Sequence, residues 1–339
     1  MLLVSRAADR ELASVQALLR QIGIPTARIN AETASSAGLL ADLGSRTLQL
    51  DGRRIRPTVT LVRHFSARAI SDRRGAVRQV FLRDSWQAAI AQLAAVSGAL
   101  IGAQGPGLMT QLTLAADNGI RVPRTVVSSD PVLAADLLPG PQVVIKALHR
   151  HFVEARPGLL SGVFPEVVDR DRLRPARGRA RPPVVVQEFV EHDLELRIYF
   201  VRGEILGFAV VKDGPAAPWL HADRIGVREV EIPAAAAAAT RLLATAMSLE
   251  YGAFDFLVSG GEPIFLEVNT AGDWRWLEAR SGSSAVTMAV VRMLRDLHLR
   301  DPRWHAETDV AAGASRQSGA IALTTFLAGP PGKMVDKGD

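Results

Sequence analysis

The stretch 251–269, YGAFDFLVSGGEPIFLEVN, restricts the fold more than any other part of the chain. Two apolar runs flank Ser259-Gly260-Gly261-Glu262, and paired glycines between alternating residues mark a tight hairpin. Alternation puts Phe265, Glu267 and Asn269 on one face, and Leu266 and Val268 on the other. Pairing across a turn centred near Gly261 sets Asp255 opposite Glu267. Three oxygen-bearing side chains then meet on one patch. Neighbouring carboxylates repel unless a cation lies between them, and hard oxygen donors suit Mg²⁺. The other reading makes Asp255 and Glu267 solvated residues on an exposed face. Against it, both sit among Phe, Leu and Val, where an unpaired charge is costly.

Composition removes several rivals. The 339 residues include no cysteine, which excludes disulfides, thiolate metal centres and cysteine nucleophiles. That length allows two or three domains. No apolar run approaches the ~18 residues of a bilayer span. The opening MLLVSRAADRELASV lacks the basic-then-apolar order of a secretion signal, so the expectation is a cytoplasmic protein. The net charge of +5 rests on arginine, since Lys146, Lys212, Lys333 and Lys337 are the only lysines among 40 basic residues. Biased codon usage accounts for this. An anionic partner such as nucleic acid is the alternative, but aromatics are only 5% and no basic run is interleaved with stacking residues. A lysine kept inside an arginine-rich body marks a place for a compact ammonium, which singles out Lys146 and Lys212.

Read in order, the chain alternates strand and helix patterns to about Gly102, as an open α/β domain does. LLVS, ARIN, TLQLDGRRI, VTLVRHF and ALIGA read as strands, the third turning at Asp51-Gly52. Residues 9–22, with Asp9 as N-cap, and most of 72–97 read as helix. A further helix ends at Asn118-Gly119, and PQVVIKALHRHF contains a β-branched strand with Lys146 in it. RPARGRARPP (174–183) is a Pro/Arg-rich surface loop. PVVVQEFV, LELRIYFV and EILGFAVV then form a strand series, followed by an Ala-rich helix, the hairpin and a last helix over 284–297. The expected division is 1–103 as an N-terminal α/β domain, 104–187 as a small central domain, 188–305 as a C-terminal antiparallel-sheet domain, and 306–339 as a mobile tail with a short strand at AIALTTF.

The pairing of an Asp-bearing strand with L-E-V-N resembles the ATP-grasp superfamily of carboxylate–amine ligases. More narrowly, FLEVNTAGDWRWLE resembles the F-L-E-V-N-P-x-G-Q-W signature of the graspetide synthetases, which include the microviridin ligases. Those enzymes use ATP to form side-chain lactones and lactams in ribosomally made precursor peptides. The likeness runs to about Leu299 and implies an α/β ATP-grasp fold with ATP and Mg²⁺ between the last two domains. Asp255, Glu267 and Asn269 would hold the Mg²⁺. Lys146, in VVIKALH, would contact the α- and β-phosphates. Glu188, Phe189 and Val190 would offer backbone groups to adenine, and Glu195 would bond the ribose hydroxyls. Arg197 in the E-L-R element, and Arg224 beside Asp223 in HADRIGV, would face the transferring phosphoryl group. Surface salt bridges are the plainer reading of both arginines. Homodimers are common in this branch, which makes a second copy the expected partner beside a leader-and-core precursor peptide.

Some residues depart from the pattern. Leu108 or Met109 stands where related enzymes have a lysine, with His149, Arg150 or His151 as substitutes. Thr270 and Asp273 replace the signature's proline and glutamine where the acceptor would approach. The arginines of 174–183 lie where this family has peptide-binding insertions. No general base has clear sequence support, and forming an acyl phosphate needs none. Two rival functions stay open: a ligase joining a free amine or amino acid to a small carboxylate or a protein tail, and a non-catalytic protein binding nucleotide or peptide.

Overall fold

The computed structural model describes residues 1–70, 75–102, 105–148, 152–156, 159–162, 164–174, 181–216 and 225–302, with backbone only at 152–156 and 159–161. Arg224, Asp223, His149, Arg150, His151, residues 175–180 of the arginine-rich loop and the tail from 303 lie outside the described residues. No described helix is long and apolar enough to cross a membrane.

The first segment builds a parallel sheet in the order β2-β1-β6-β7 from β1 (Leu2–Ser5), β2 (Ala27–Asn30), β6 (Val59–Val62) and β7 (Ala99–Ile101). Every residue of β1 and β6 is buried, Ser5 and Thr60 included, as expected of parallel strands covered on both faces. Helix α1 (Arg10–Gln21) starts at Asp9, whose Oδ1 accepts from the Leu12 amide at 2.9 Å. Strands β3 (Leu40–Asp42), β4 (Thr47–Leu50) and β5 (Arg53–Ile55) form an antiparallel ribbon, and its second turn uses positive φ at Asp51 and Gly52. Helix α2 (Ala76–Ala91) buries only Ile90 and leaves Val77 and Phe81 85% and 73% exposed.

The middle segment begins with α3 (Leu108–Asp117). Its antiparallel sheet, in the order β12-β9-β13-β8, comprises β8 (Thr125–Ser128), β9 (Gln142–Ala147), β12 (Glu166–Asp169) and β13 (Val184–Glu188). Helix α4 (Pro131–Asp136) and the hairpin of β10 (Phe152–Arg156) and β11 (Leu159–Gly162) complete it. The last segment forms an antiparallel sheet in the order β16-β15-β14-β17-β18: β14 (Leu194–Val201), β15 (Glu204–Val211), β16 (Gly226–Val230), β17 (Tyr251–Ser259) and β18 (Glu262–Asn269). Helices α5 (Ala234–Ala246), α6 (Arg275–Ser281) and α7 (Ala285–Arg300) pack with it.

Both faces of this sheet are covered. One meets α3 and α5 through Leu196, Ile198, Phe254, Phe256, Leu112 and Leu243. The other shares one core with the N-terminal sheet, α1 and α7, joining Tyr199, Phe208 and Tyr251 to Leu3, Leu12, Val59 and Val290. The first and last segments are therefore welded by a continuous apolar core, which sequence patterning did not suggest.

The hairpin turn is as tight as the glycines imply, with φ of +56° at Gly260 and +82° at Gly261. A tight turn alone would misalign the acids, since Ser259 pairs with Glu262. Between the Phe256–Phe265 and Asp255–Glu267 pairs, β18 holds one extra residue, Leu266, and this bulge brings Glu267 opposite Asp255. The same bulge corrects one expectation. Phe265 does not share the Glu267 face but packs on the opposite one, with ring centroids 5.5 Å from Phe256 and 6.2 Å from Phe254.

Candidate active site

Along β14, Glu195, Arg197, Tyr199 and Val201 share a face. Tyr199 and Val201 are in the core, while Glu195 and Arg197 lie toward the central sheet. Register then makes a row across three strands, Arg197 opposite Asp255 and Asp255 opposite Glu267. Arg197 Nε lies 2.7 Å from Asp255 Oδ1. Lys146 reaches in from β9 of the other sheet, with Nζ 3.4 Å from Glu267 Oε2 and only 5% of its side chain exposed. Two adjacent anions are thus flanked by a cation on either side, and Lys146, one of the two lysines in the body of an arginine-rich chain, crosses between sheets. Asn269 lies in the next row, opposite Ala253, and its Oδ1 accepts from the Ala271 amide at 3.0 Å.

The electrostatics of the row show what would fit it. Burial pushes the Asp255 carboxyl up to about 7, with Arg197 pulling it down and the Glu267 charge adding to the rise. The Asp255 charge, against burial, holds Arg197 above its ordinary range. Two adjacent carboxylates, that of Asp255 with a raised proton affinity, and an amide oxygen nearby form an all-oxygen donor set. That chemistry fits a hard dication such as Mg²⁺.

Glu195 Oε1 receives His192 Nε2 at 3.0 Å and Lys212 Nζ at 2.5 Å. His192 Nδ1 lies 2.8 Å from the Val190 carbonyl, so the segment between β13 and β14 is tied to the sheet it enters. Burial opposes the charged imidazole, but Glu195 and that carbonyl outweigh it and raise the His192 pKa. Glu188 ends β13, with its amide donating to the Arg124 carbonyl, and half-buried Phe189 and Val190 follow. Arg197 therefore contacts Asp255, Lys146 contacts Glu267, and the two acids are cross-strand neighbours; Asn269 is one row away, and Glu188, Phe189, Val190 and Glu195 lie on or beside the connection between the two sheets.

Leu108, at the start of α3, packs against the α5-side core, so that helix end supplies no cation. Its contribution comes from Gln111, whose Nε2 donates to the Val268 carbonyl at 3.0 Å and whose Oε1 accepts from the Val268 amide at 2.8 Å. The side chain acts as a short substitute strand on the open edge of β18, beside Glu267.

A second cluster was not visible in the sequence. Arg63, just after β6, has a side chain only 1% exposed and bonds Glu11 Oε2 at 2.8 Å, Asp273 Oδ1 at 3.1 Å and the Gly272 carbonyl at 3.2 Å. Its guanidinium lies 4.2 Å above the Trp274 ring. His64 Nε2 is 2.7 Å from Asp273 Oδ1. Glu11 Oε1 accepts from the Trp274 and Arg275 amides, capping α6 from far away in the chain. The Tyr251 hydroxyl donates to the Gly272 carbonyl and that of Tyr199 to the Asp273 carbonyl. Burial opposes the Asp273 charge, yet His64 and Arg63 hold the carboxyl well below the usual range. Glu11, His64 and Asp273 have the spacing of metal ligands, but Arg63 is already the cation among the same atoms. The one signal was local: an Arg-His pair ending an apolar strand, with two acids opening α1.

No protein-family model matches the sequence, and no curated protein matches it. Solved structures do. Macrocyclase MdnC from Microcystis aeruginosa MRC, bound with precursor peptide MdnA, matches with a TM-score of 0.69 at 20% identity over 87% of this chain and 99% of that one. ATP-grasp ligase PsnB, complexed with a phosphomimetic variant of its minimal precursor, Mg and ADP, gives 0.67 at 16% over 87% and 97%. D-cycloserine synthetase DcsG gives 0.54 at 18% over 87% and 98%. The chain has the ATP-grasp fold.

Proposed function

We propose that this protein is an ADP-forming ligase that activates a side-chain carboxylate of a ribosomally made precursor peptide and closes it onto a hydroxyl or amine as an ester or amide. The observation behind this reading is the Arg197–Asp255–Glu267 row with Lys146 opposite, on a fold shared with ligases solved with precursor peptides. A carboxylate is a poor electrophile, so ATP first converts it to an acyl phosphate. Lys146 and Arg197 supply fixed positive charge where the transferring phosphoryl group is most anionic. Asp255, Glu267 and Asn269 would hold Mg²⁺, which when bound neutralises phosphate charge. Glu188, Phe189 and Val190 would receive adenine and Glu195 the ribose, while Arg224 is proposed as a second phosphate-facing arginine. Holding both ends of one flexible peptide supplies much of the acceleration, on the order of several kcal/mol.

The competing ligase reading, a free amine joined to a small carboxylate, rests on Thr270 and Asp273 at the acceptor approach. The TM-score of 0.54 to D-cycloserine synthetase against 0.69 to the macrocyclase weighs toward the peptide. We further propose that the reaction runs in the cytoplasm on a homodimer built on the exposed Val77, Val80 and Phe81 of α2, for which sedimentation should give twice the chain mass. The decisive assay combines the protein, ATP and Mg²⁺ with the short Thr-, Ser-, Asp- and Glu-rich peptide expected to be encoded beside its gene. ADP release with loss of one water per ring is the expected result. A gain in peptide mass would transfer the case to the amine-adding ligase, and neither ADP nor a mass change would favour a binding protein.

A further inference from the structure

The acceptor's proton has no destination among the residues assigned so far. The strongest candidate stands where the N-terminal sheet meets the loop leaving β18. His64 follows the C-terminal end of the parallel strand β6, the end at which open α/β sheets place functional side chains. Its Nε2 lies 2.7 Å from Asp273 Oδ1 and 3.2 Å from Arg63 Nη2; the shorter contact is to a carboxylate that only accepts, and Arg63 Nη2 already donates to Glu11, so Nε2 has the hydrogen. In the unprotonated ring that tautomer presents Nδ1 as an acceptor. Among the described residues no group bonds Nδ1, and 23% of the side chain is exposed.

The pair is close to the charged row. A Cβ built on Gly272, the residue before Asp273, would lie 3.7 Å from Arg197 Nη1, and Arg197 Nε contacts Asp255. The loop is also fixed in place, because Gly102 and Gly105 approach Thr270 and Arg63 bonds the Gly272 carbonyl. The charged groups facing His64 are Arg63 beside it, Asp273 from the β18 loop, and Glu11 and Asp9 around the start of α1, with Arg63 bonded to both acids.

We infer that His64, oriented by Asp273, is the general base for the acceptor, a step resting on the ligase reading above. As the acceptor oxygen or nitrogen bonds the acyl carbon, the bond from that carbon to the phosphate oxygen breaks. Phosphate leaves with the electron pair, and the acceptor's proton passes to His64 Nδ1 and then to water. The Asp273 that departs from the family signature then has a role, since it selects the tautomer.

Hydroxylamine separates the two halves of the reaction, because it needs no base and traps the acyl phosphate as a hydroxamate. With the adjacent-gene peptide, ATP and Mg²⁺, His64→Gln keeps a donor to Asp273 and removes the base. Ring formation is expected to fall by about 10²–10³-fold and to lose its acid limb in the pH profile, while hydroxamate formation continues. Asp273→Asn, which turns the tautomer round, is expected to produce the same selective loss. An equal fall in both products would make His64 a support for the loop and overturn the proposal, as would unimpaired ring closure. Wild-type protein yielding neither product would overturn the ligase reading itself.

Discussion

Glu267→Gln is expected to lower ADP release with Mg²⁺ and the precursor peptide by about 10³-fold, equivalent to roughly 4 kcal/mol in the barrier. The change is nearly isosteric and lies on a half-buried sheet position, so the fold has little reason to fail. It removes a charge from an all-oxygen donor set and takes from Lys146 the carboxylate it contacts. Loss of a cation site costs more than loss of one phosphate contact, because the dication offsets several phosphate charges at once. The wild-type site also has a defined pH response. Asp255 must shed its proton before it can serve as a ligand, and its pKa is raised to about 7. Mg²⁺ affinity, measured by titration calorimetry, is therefore expected to fall by up to about tenfold per pH unit below 7 and to level off above it. In Glu267→Gln that inflection should move to lower pH, since one cause of the rise has gone. An unchanged inflection, or ADP release within a factor of about three of wild type, would place the cation elsewhere.

How much of this was legible depended on the range of the interactions. The acid pair could be read because a hairpin is local: two glycines fix the turn and the alternation does the rest. It also succeeded partly by cancellation. A turn centred near Gly261 gives the Asp255–Glu267 pairing, but the structure reaches it through a tighter turn and a bulge at Leu266. That is why the same reasoning placed Phe265 on the wrong face. Lys146 stood out through composition alone, and its partner Glu267 is brought to it only by the meeting of two sheets. Helix α6 went unread because its cap is Glu11, which no local pattern can reveal. Strand β16 and the β10–β11 hairpin have weak patterns of their own and exist as partners of other strands. The Arg63 cluster is the extreme case, since α1, β6 and the loop after β18 each supply part of it. Resemblance found the residues expected to touch nucleotide, and three-dimensional contact was needed to find those that hold the loop.

Arg63→Met is expected to destabilise the protein by about 3–5 kcal/mol, seen as an earlier midpoint in urea. The reasoning concerns what the substitution leaves behind more than what it removes. Methionine fills much of the volume and keeps the contact with Trp274, so cavity formation is a minor part of the loss. Asp9 and Glu11, however, would stay buried beside Asp273 with no guanidinium among them. Burial already raises the Glu11 pKa against the pull of Arg63. Without Arg63 it should rise further, making the loss smaller at low pH, where Glu11 takes up a proton and its charge disappears. The signs agree: a carboxyl whose folded pKa lies above its unfolded value destabilises the fold as pH rises past the unfolded value. Arg292 provides the control, because its Nη2 meets both Glu204 carboxylate oxygens in a solvent-accessible pair and Arg292→Met should cost no more than about 1 kcal/mol. If Arg63→Met matched Arg292→Met, the buried network would be bystander chemistry, and the N-terminal segment would be held to the last sheet by the shared apolar core alone. If the larger loss appears and Glu11→Gln in the same chain recovers part of it, then Arg63 is what allows an acidic cap for α6 to be buried between the first and last segments.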